Sequence, residues 1–188
     1  MERITDYFAK EFDLSPLDKI KLRYSMEVLF HDISKVLILL ILFSIAGKTK
    51  DYIYSVITLL TIRPFTGGLH FKTYLGCLLF TGLFFSISIF LSNNISLDSV
   101  ILLFFIFTFI TILSISPVVS KNRPRYSNKK LLFFKLIGLV TVSIHFVGFK
   151  NANNHPYFIN SIWVITLQSI QLIIGKEVCS YEKRKRHY

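Results

Sequence analysis

Residues 73–97 read TYLGCLLFTGLFFSISIFLSNNISL, and no charge interrupts them. A helix needs roughly 20 apolar residues to cross the hydrocarbon core of a bilayer. Ser99 to Ser120 and Asn151 to Gly175 meet the same length and hold no Lys, Arg, Asp or Glu. Leu131 to Phe149 is interrupted only by Lys135, while Val36 to Gly47 and Tyr52 to Ile62 are shorter apolar stretches. The chain of 188 residues is 52% hydrophobic and contains 19 Phe, with a mean hydropathy of +0.53. Soluble domains of this size do not have that composition. Backbone groups in lipid must pair internally, which excludes a lipid-exposed open sheet. The expected fold is an all-α membrane protein, one integral-membrane domain over residues 1–188 with about six transmembrane helices.

The net charge of +11 raises nucleic acid as a partner, and the placement of the charge argues against it. Lys121, Arg123, Arg125, Lys129 and Lys130 cluster in one loop, and Lys183 to Arg186 cluster in the tail. The loops near Asn93-Asn94 and Asn151 to Asn154 hold almost no Lys or Arg. This asymmetry follows the positive-inside rule. It puts the N-terminal region, the basic loop and the basic tail (175–188) in the cytoplasm, as an even number of crossings requires. Lys48 and Lys50 are the misfit, since six crossings place them outside. No early apolar run resembles a signal peptide, so the N-terminus is expected to be retained.

Residues 1–30 read as an amphipathic interfacial region. Ser15-Pro16-Leu17-Asp18 is a helix start: Ser15 caps, Pro16 suits the first position, and Asp18 favours the positive dipole end. Leu17, Ile20, Tyr24 and Val28 follow at helical spacing, apart from Lys19, Lys21 and Arg23. The helix is expected to run into the first crossing past Glu27, His31, Asp32 and Lys35. Ionisable groups at that depth require either a span that starts after Lys35 or a hydrated face.

Between the second and third apolar stretches lies Arg63-Pro64-Phe65-Thr66-Gly67-Gly68-Leu69-His70, with Cys77 seven residues later. Pro64, Gly67 and Gly68 disfavour helix, so a break is expected near Arg63, with a kinked segment at 63–72. A thiol attacks as thiolate and needs a basic neighbour; His70 is the candidate base and Cys77 the candidate nucleophile. On one straight helix their Cα atoms would stand about 10.5 Å apart, too far for a hydrogen bond. The pair therefore requires bent backbone, which the helix breakers permit. Amides of the Gly67-Gly68 turn can stabilise an oxyanion, and Arg63 can fork onto a carboxylate. Asp32 or Glu27 could orient His70, although nothing in the sequence places them beside it.

The bland readings are a packing role for Cys77, an interfacial role for His70 and an ordinary turn at the glycines. They weaken when the three features coincide at a helix break. His31, His145, His155 and His187 lack ligand spacing, and neither HExxH nor CxxC occurs, so no metal or cofactor is expected. Cys77 and Cys179 are not expected to form a disulfide. Cys179 reads as an incidental cytoplasmic thiol or an acylation site. The Phe stripes, such as Phe80, Phe84, Phe85 and Phe90, read as packing or lipid-facing residues.

Arg63, Gly67-Gly68, His70 and Cys77, set in a chain of this length and hydrophobic architecture, resemble the accessory gene regulator protein B family. Its members are integral-membrane cysteine peptidases of Gram-positive quorum sensing, and the resemblance covers the whole chain. It implies cleavage of a short amphipathic precursor peptide, of the accessory gene regulator D type, with a central Cys and an acidic C-terminal part. Cys77 would form a thioester acyl-enzyme, which the precursor's own thiol would displace to close a thiolactone. Arg63 and Gly68 match family motif positions. Lys129 and Lys130 fall, more loosely, where the family has sensitive positive charges and would serve the substrate. A homodimer is compatible with this reading.

Two other function classes fit the hydropathy. In a small transporter or peptide exporter, the broken helix would bind cargo and Cys77 would be dispensable. In a membrane adaptor, motif substitutions would alter partner binding and no chemical step. Against transport stand the short chain and its few intramembrane charges.

Overall fold

The computed structural model describes residues 2–69, 71, 73–95, 100–118, 127–152 and 155–184. The described residues form α1 (Glu2–Glu11), α2 (Pro16–Ile45), α3 (Thr49–Thr66), α4 (Tyr74–Asn94), α5 (Ile101–Ile115), α6 (Asn128–Asn151) and α7 (Pro156–Arg184). They fall into two compact units, residues 1–47 and residues 48–188. The expected segments correspond one for one to α2 through α7. Helices α2, α4, α6 and α7 are long and apolar enough to cross a membrane, and α5 is a shorter apolar helix. Helix α3 has 18 residues and carries Lys50, Asp51 and Arg63 towards its ends. The protein is an all-α, multi-pass membrane protein.

In the first unit, Asp13 turns the chain between α1 and α2 with a φ of 45°, a conformation that Asp tolerates better than most residues. The helix start read from the sequence is the one observed. Ser15 caps α2, its Oγ accepting from the Asp18 amide at 3.2 Å. Lys19 reaches back to Asp6 on α1 at 2.8 Å. The charges that precede the apolar half of α2 pair along the helix itself, Arg23 with Glu27 at 3.2 Å and Lys35 with Asp32 at 2.6 Å. Such pairs lower the cost of carrying charge towards lipid. The capped start at Ser15 and the apolar stretch from Val36 thus share one helix, α2, while residues 2–11 form a separate one.

In the second unit α7 is the axis. It packs against α3, α4, α5 and α6, and 67% of its apolar window is buried, against 22% for α4 and 17% for α6. Ile165 and Leu172 meet Ile62, Ile112 and Val142, while Ile162 and Trp163 meet Ile101 and Phe149. The packing is close: a Cβ on Gly148 would overlap the Phe158 ring, so glycine lets α6 approach α7. Of the Phe stripes, Phe85 is buried against Tyr52 with ring centroids 5.2 Å apart, whereas Phe90 is exposed. Lys135 caps α5, its Nζ donating to the Leu113 carbonyl at 2.6 Å.

Two of the sequence-derived bounds shift. Helix α3 continues through Pro64 to Thr66, because one missing amide near a helix end costs little continuity and a positive-φ glycine is the firmer stop. Helix α7 continues through Lys176 to Arg184, so the basic tail begins as helix. The Asn153-Asn154 turn, Leu97 and most of the basic loop lie outside the described residues.

Without a hydrophobic drive between helices in lipid, polar contacts carry part of the specificity. Asn160 on α7 donates through Nδ2 to the Asp51 carbonyl at 2.7 Å and to Ser55 Oγ at 2.8 Å, and Ser88 Oγ on α4 lies 3.4 Å from Ser55 Oγ. One buried amide thereby ties α7 to α3. Asn160→Ala should lower the unfolding free energy by about 1–2 kcal/mol, measured by denaturant titration in mixed micelles. An unshifted midpoint would contradict this account of the clamp.

Candidate functional site

One end of the second unit gathers the C-terminus of α3, the N-terminus of α4, the segment after α5, the N-terminus of α6 and the later turns of α7. Gly67 stops α3 with a φ of 79°, and its amide donates to the Arg63 carbonyl at 2.9 Å. The Thr66 carbonyl then accepts from the Val118 amide at 2.9 Å, and Gly67 forms an isolated parallel bridge with Val118. A Cβ on Gly67 would overlap the Val118 carbonyl oxygen. The residue must be glycine on two counts, its conformation and the approach of a second backbone. From α7, Gln168 donates through Nε2 to the Gly67 carbonyl at 2.7 Å and approaches Thr66 Oγ1 at 3.4 Å. The turn is held from three sides.

Arg63 folds over this turn, and its Nη2 donates to the Leu69 carbonyl at 3.2 Å. Gly68 is buried beneath the guanidinium, where a Cβ would stand 3.4 Å from Nε. The arginine expected to meet substrate therefore also fixes the turn. The Gly67 amide is engaged by α3, so the turn function of the glycine pair is visible in Gly67 and the spacing function in Gly68.

Past the turn, Phe71 bends back onto the start of α4. Its ring lies 4.9 Å from that of Phe80, and its Cβ is 3.7 Å from where a Gly76 side chain would begin. Thr73 caps α4, its Oγ1 accepting from the Gly76 amide at 3.2 Å. The Cys77 amide donates to the Thr73 carbonyl at 3.1 Å, which sets Cys77 in the first turn of α4. Cys77 is a buried thiol in no disulfide, 9% exposed. His70 lies outside the described residues.

The structure also brings the α6 lysines towards this end. Ser127 caps α6 through the Lys130 amide at 3.4 Å, and Lys129 and Lys130 are exposed in the first turn. Lys130 Nζ stands 5.7 Å from the centroid of the Phe134 ring, whose centroid lies 6.2 Å from that of Phe65 on α3. Glu27 and Asp32 are paired within α2 with Arg23 and Lys35. Among the described residues, no group of three or more His, Cys, Asp or Glu is placed to hold a metal ion.

Sequence reading missed the contribution of α7. Gln168 is fully buried and Gln171 is 3% exposed. Neither Gln171 amide atom has a hydrogen-bond partner, and Gln168 Oε1 has none either. The signal was present: two glutamines three residues apart inside a charge-free span are costly in lipid unless they do something there.

The sequence pattern of the family described as Accessory gene regulator B matches residues 1–172. A putative AgrB-like protein of Clostridium beijerinckii is 30% identical over 164 residues, covering 86% of this chain and 80% of the relative. Putative AgrB-like protein 1 of Clostridium perfringens (strain 13 / Type A) is 25% identical over 144 residues, covering 76% of each. No solved structure matches the chain significantly.

The two glycines should respond unequally to substitution. Gly67→Ala places a side chain in left-handed backbone and against a carbonyl, and should cost more than about 2 kcal/mol. Gly68→Ala meets only the far end of a flexible arginine and should stay within about 1 kcal/mol. Thermal unfolding of the two purified variants checks the order; equal losses would contradict the geometry.

Proposed function

The chain belongs to the accessory gene regulator B family, and we propose that it is a membrane-embedded cysteine endopeptidase acting on a short precursor peptide of the accessory gene regulator D type. The observation that carries this reading is the break at Gly67. It separates α3 from α4, leaves Cys77 in the first turn of a new helix, and folds Phe71, the neighbour of His70, back along that helix. A continuous helix would have kept positions 70 and 77 about 10.5 Å apart.

In the proposed reaction His70 takes the Cys77 proton, and Sγ attacks the carbonyl carbon of the scissile peptide bond. The C–N bond breaks, His70 returns the proton to the leaving amine, and the signal segment stays on Cys77 as a thioester. The precursor's central thiol then attacks that thioester carbonyl. A thiolactone leaves, and Cys77 recovers its proton. Making a thioester from an amide is uphill, whereas exchanging one thioester for another is nearly balanced. Burial of Cys77 supports the scheme, since excluding water protects the acyl-enzyme from hydrolysis.

Gly68 is the amide assigned to the developing oxyanion, next to an arginine that holds the turn. Lys129 and Lys130 are assigned to the acidic part of the substrate, because they are exposed and share an end of the unit with the turn. The charge asymmetry supports cytoplasmic N- and C-termini and a substrate lying on the inner leaflet of the cell membrane. The second step hands the signal on as a ring, the chemistry a quorum-sensing system needs.

Cys77→Ala should abolish precursor cleavage and leave protein abundance unchanged. Mass spectrometry of wild-type protein mixed with precursor should find an acyl adduct on Cys77. His70→Ala should remove cleavage by at least about a hundredfold and slow alkylation of Cys77. Undiminished processing by Cys77→Ala would refute the proposal, and alkylation indifferent to His70→Ala would remove the base.

A further inference from the structure

We infer that Gln171 binds the main chain of the peptide substrate beside the Gly67 turn. This inference rests on the peptide-processing reading and assigns a recognition element to it. Residues 168, 171 and 175 lie on one stripe of α7, since positions three and four apart share a face. The upper and lower members of the stripe are both placed against the turn. Gln168 holds the Gly67 carbonyl, and Gly175 faces Leu69 and Val118, 3.7 Å from where its side chain would begin. Gln171 stands between them, 3% exposed, with Nε2 and Oε1 both unpartnered.

A buried carboxamide without partners is expensive, and more so in a membrane protein. Packing does not explain it, because Leu or Met would fill the same volume without the penalty. Its neighbour shows the contrast. Gln168 spends its donor on Gly67 and so secures the turn, whereas Gln171 has no hydrogen-bond partner among the described residues. Such a group is either a defect or a site.

The chemistry of the group names its ligand. A carboxamide offers an acceptor and a donor side by side. An extended peptide presents the N–H and C=O of one residue along the same edge, the arrangement that antiparallel strands exchange. One carboxamide therefore satisfies one residue of an extended chain in both directions. Gln168 Oε1 adds an acceptor for a neighbouring N–H. Recognition of main chain leaves side chains unread, so the site would hold the strand next to the scissile bond whatever its sequence. Gln171 is a binding residue here and takes no proton.

The test uses full-length protein in nanodiscs and a synthetic precursor peptide with a central cysteine and an acidic C-terminal part. A second peptide is N-methylated at the residues flanking the scissile bond. Gln171→Met should raise KM about tenfold and leave kcat within about twofold. Its thermal midpoint should equal or exceed that of the wild type, since an unsatisfied buried amide has been removed. N-methylation should raise the wild-type KM by about the same factor and add little to the variant's.

An unchanged KM in Gln171→Met overturns the inference, and so does an N-methylation penalty equal in both proteins. A lower midpoint in both Gln171→Met and Gln171→Leu makes the residue structural and overturns it too. If the wild type cleaves no precursor and carries no adduct on Cys77, the peptide-processing reading itself fails and this inference goes with it.

Discussion

A helix stopped inside an apolar region leaves backbone groups that water cannot satisfy, and this constraint governs the end of the second unit where α3 stops. At Thr66 and Gly67 two carbonyls fall free of α3. One is taken by the Val118 amide, the other by the carboxamide of Gln168. Each partner comes from a different part of the chain, so the break exists only once α3, α7 and the segment after α5 have assembled. The interruption is thus a tertiary product in which local sequence supplies the tolerance and distant residues supply the bonds.

That arrangement explains why one glycine is strict and the next permissive. Gly67 sits where a second backbone crosses it, and no rearrangement of a side chain can make room. Gly68 sits beneath the guanidinium of Arg63, which has freedom to move. The arginine in turn braces the Leu69 carbonyl, so a charge in a membrane protein is used to shape a turn. Just beyond, Thr73 starts a new helix whose first turn holds the thiol. A helix N-terminus, a buried sulfur and a braced turn thus meet within one short stretch of chain.

The role of α7 alters how the unit is understood. By hydropathy it is the least apolar of the four long spans, at 1.5 against 2.0 to 2.2 for the others. Its polar residues are the reason. Asn160 clamps α3 at one end and Gln168 clamps the turn at the other, and the helix is the most enclosed because these groups must be kept from lipid. Polar content and central position are two sides of one requirement.

The sequence by itself determined the class of the molecule, the number of apolar segments, the Ser15 cap and a break between the second and third apolar segments. These follow from run length, from capping chemistry and from helix-breaking residues, all local quantities. It placed the end of α3 three residues early, because the sequence reveals Pro64 as a breaker but not that the helix can run past it. What only the tertiary structure decided is which groups hold the bend. Val118 and Gln168 lie far along the chain from Gly67, and no periodicity links them to it. Their pairing is set by how four helices pack around α7, which brings the Val118 amide and Gln168 Nε2 to the free carbonyls of a broken helix.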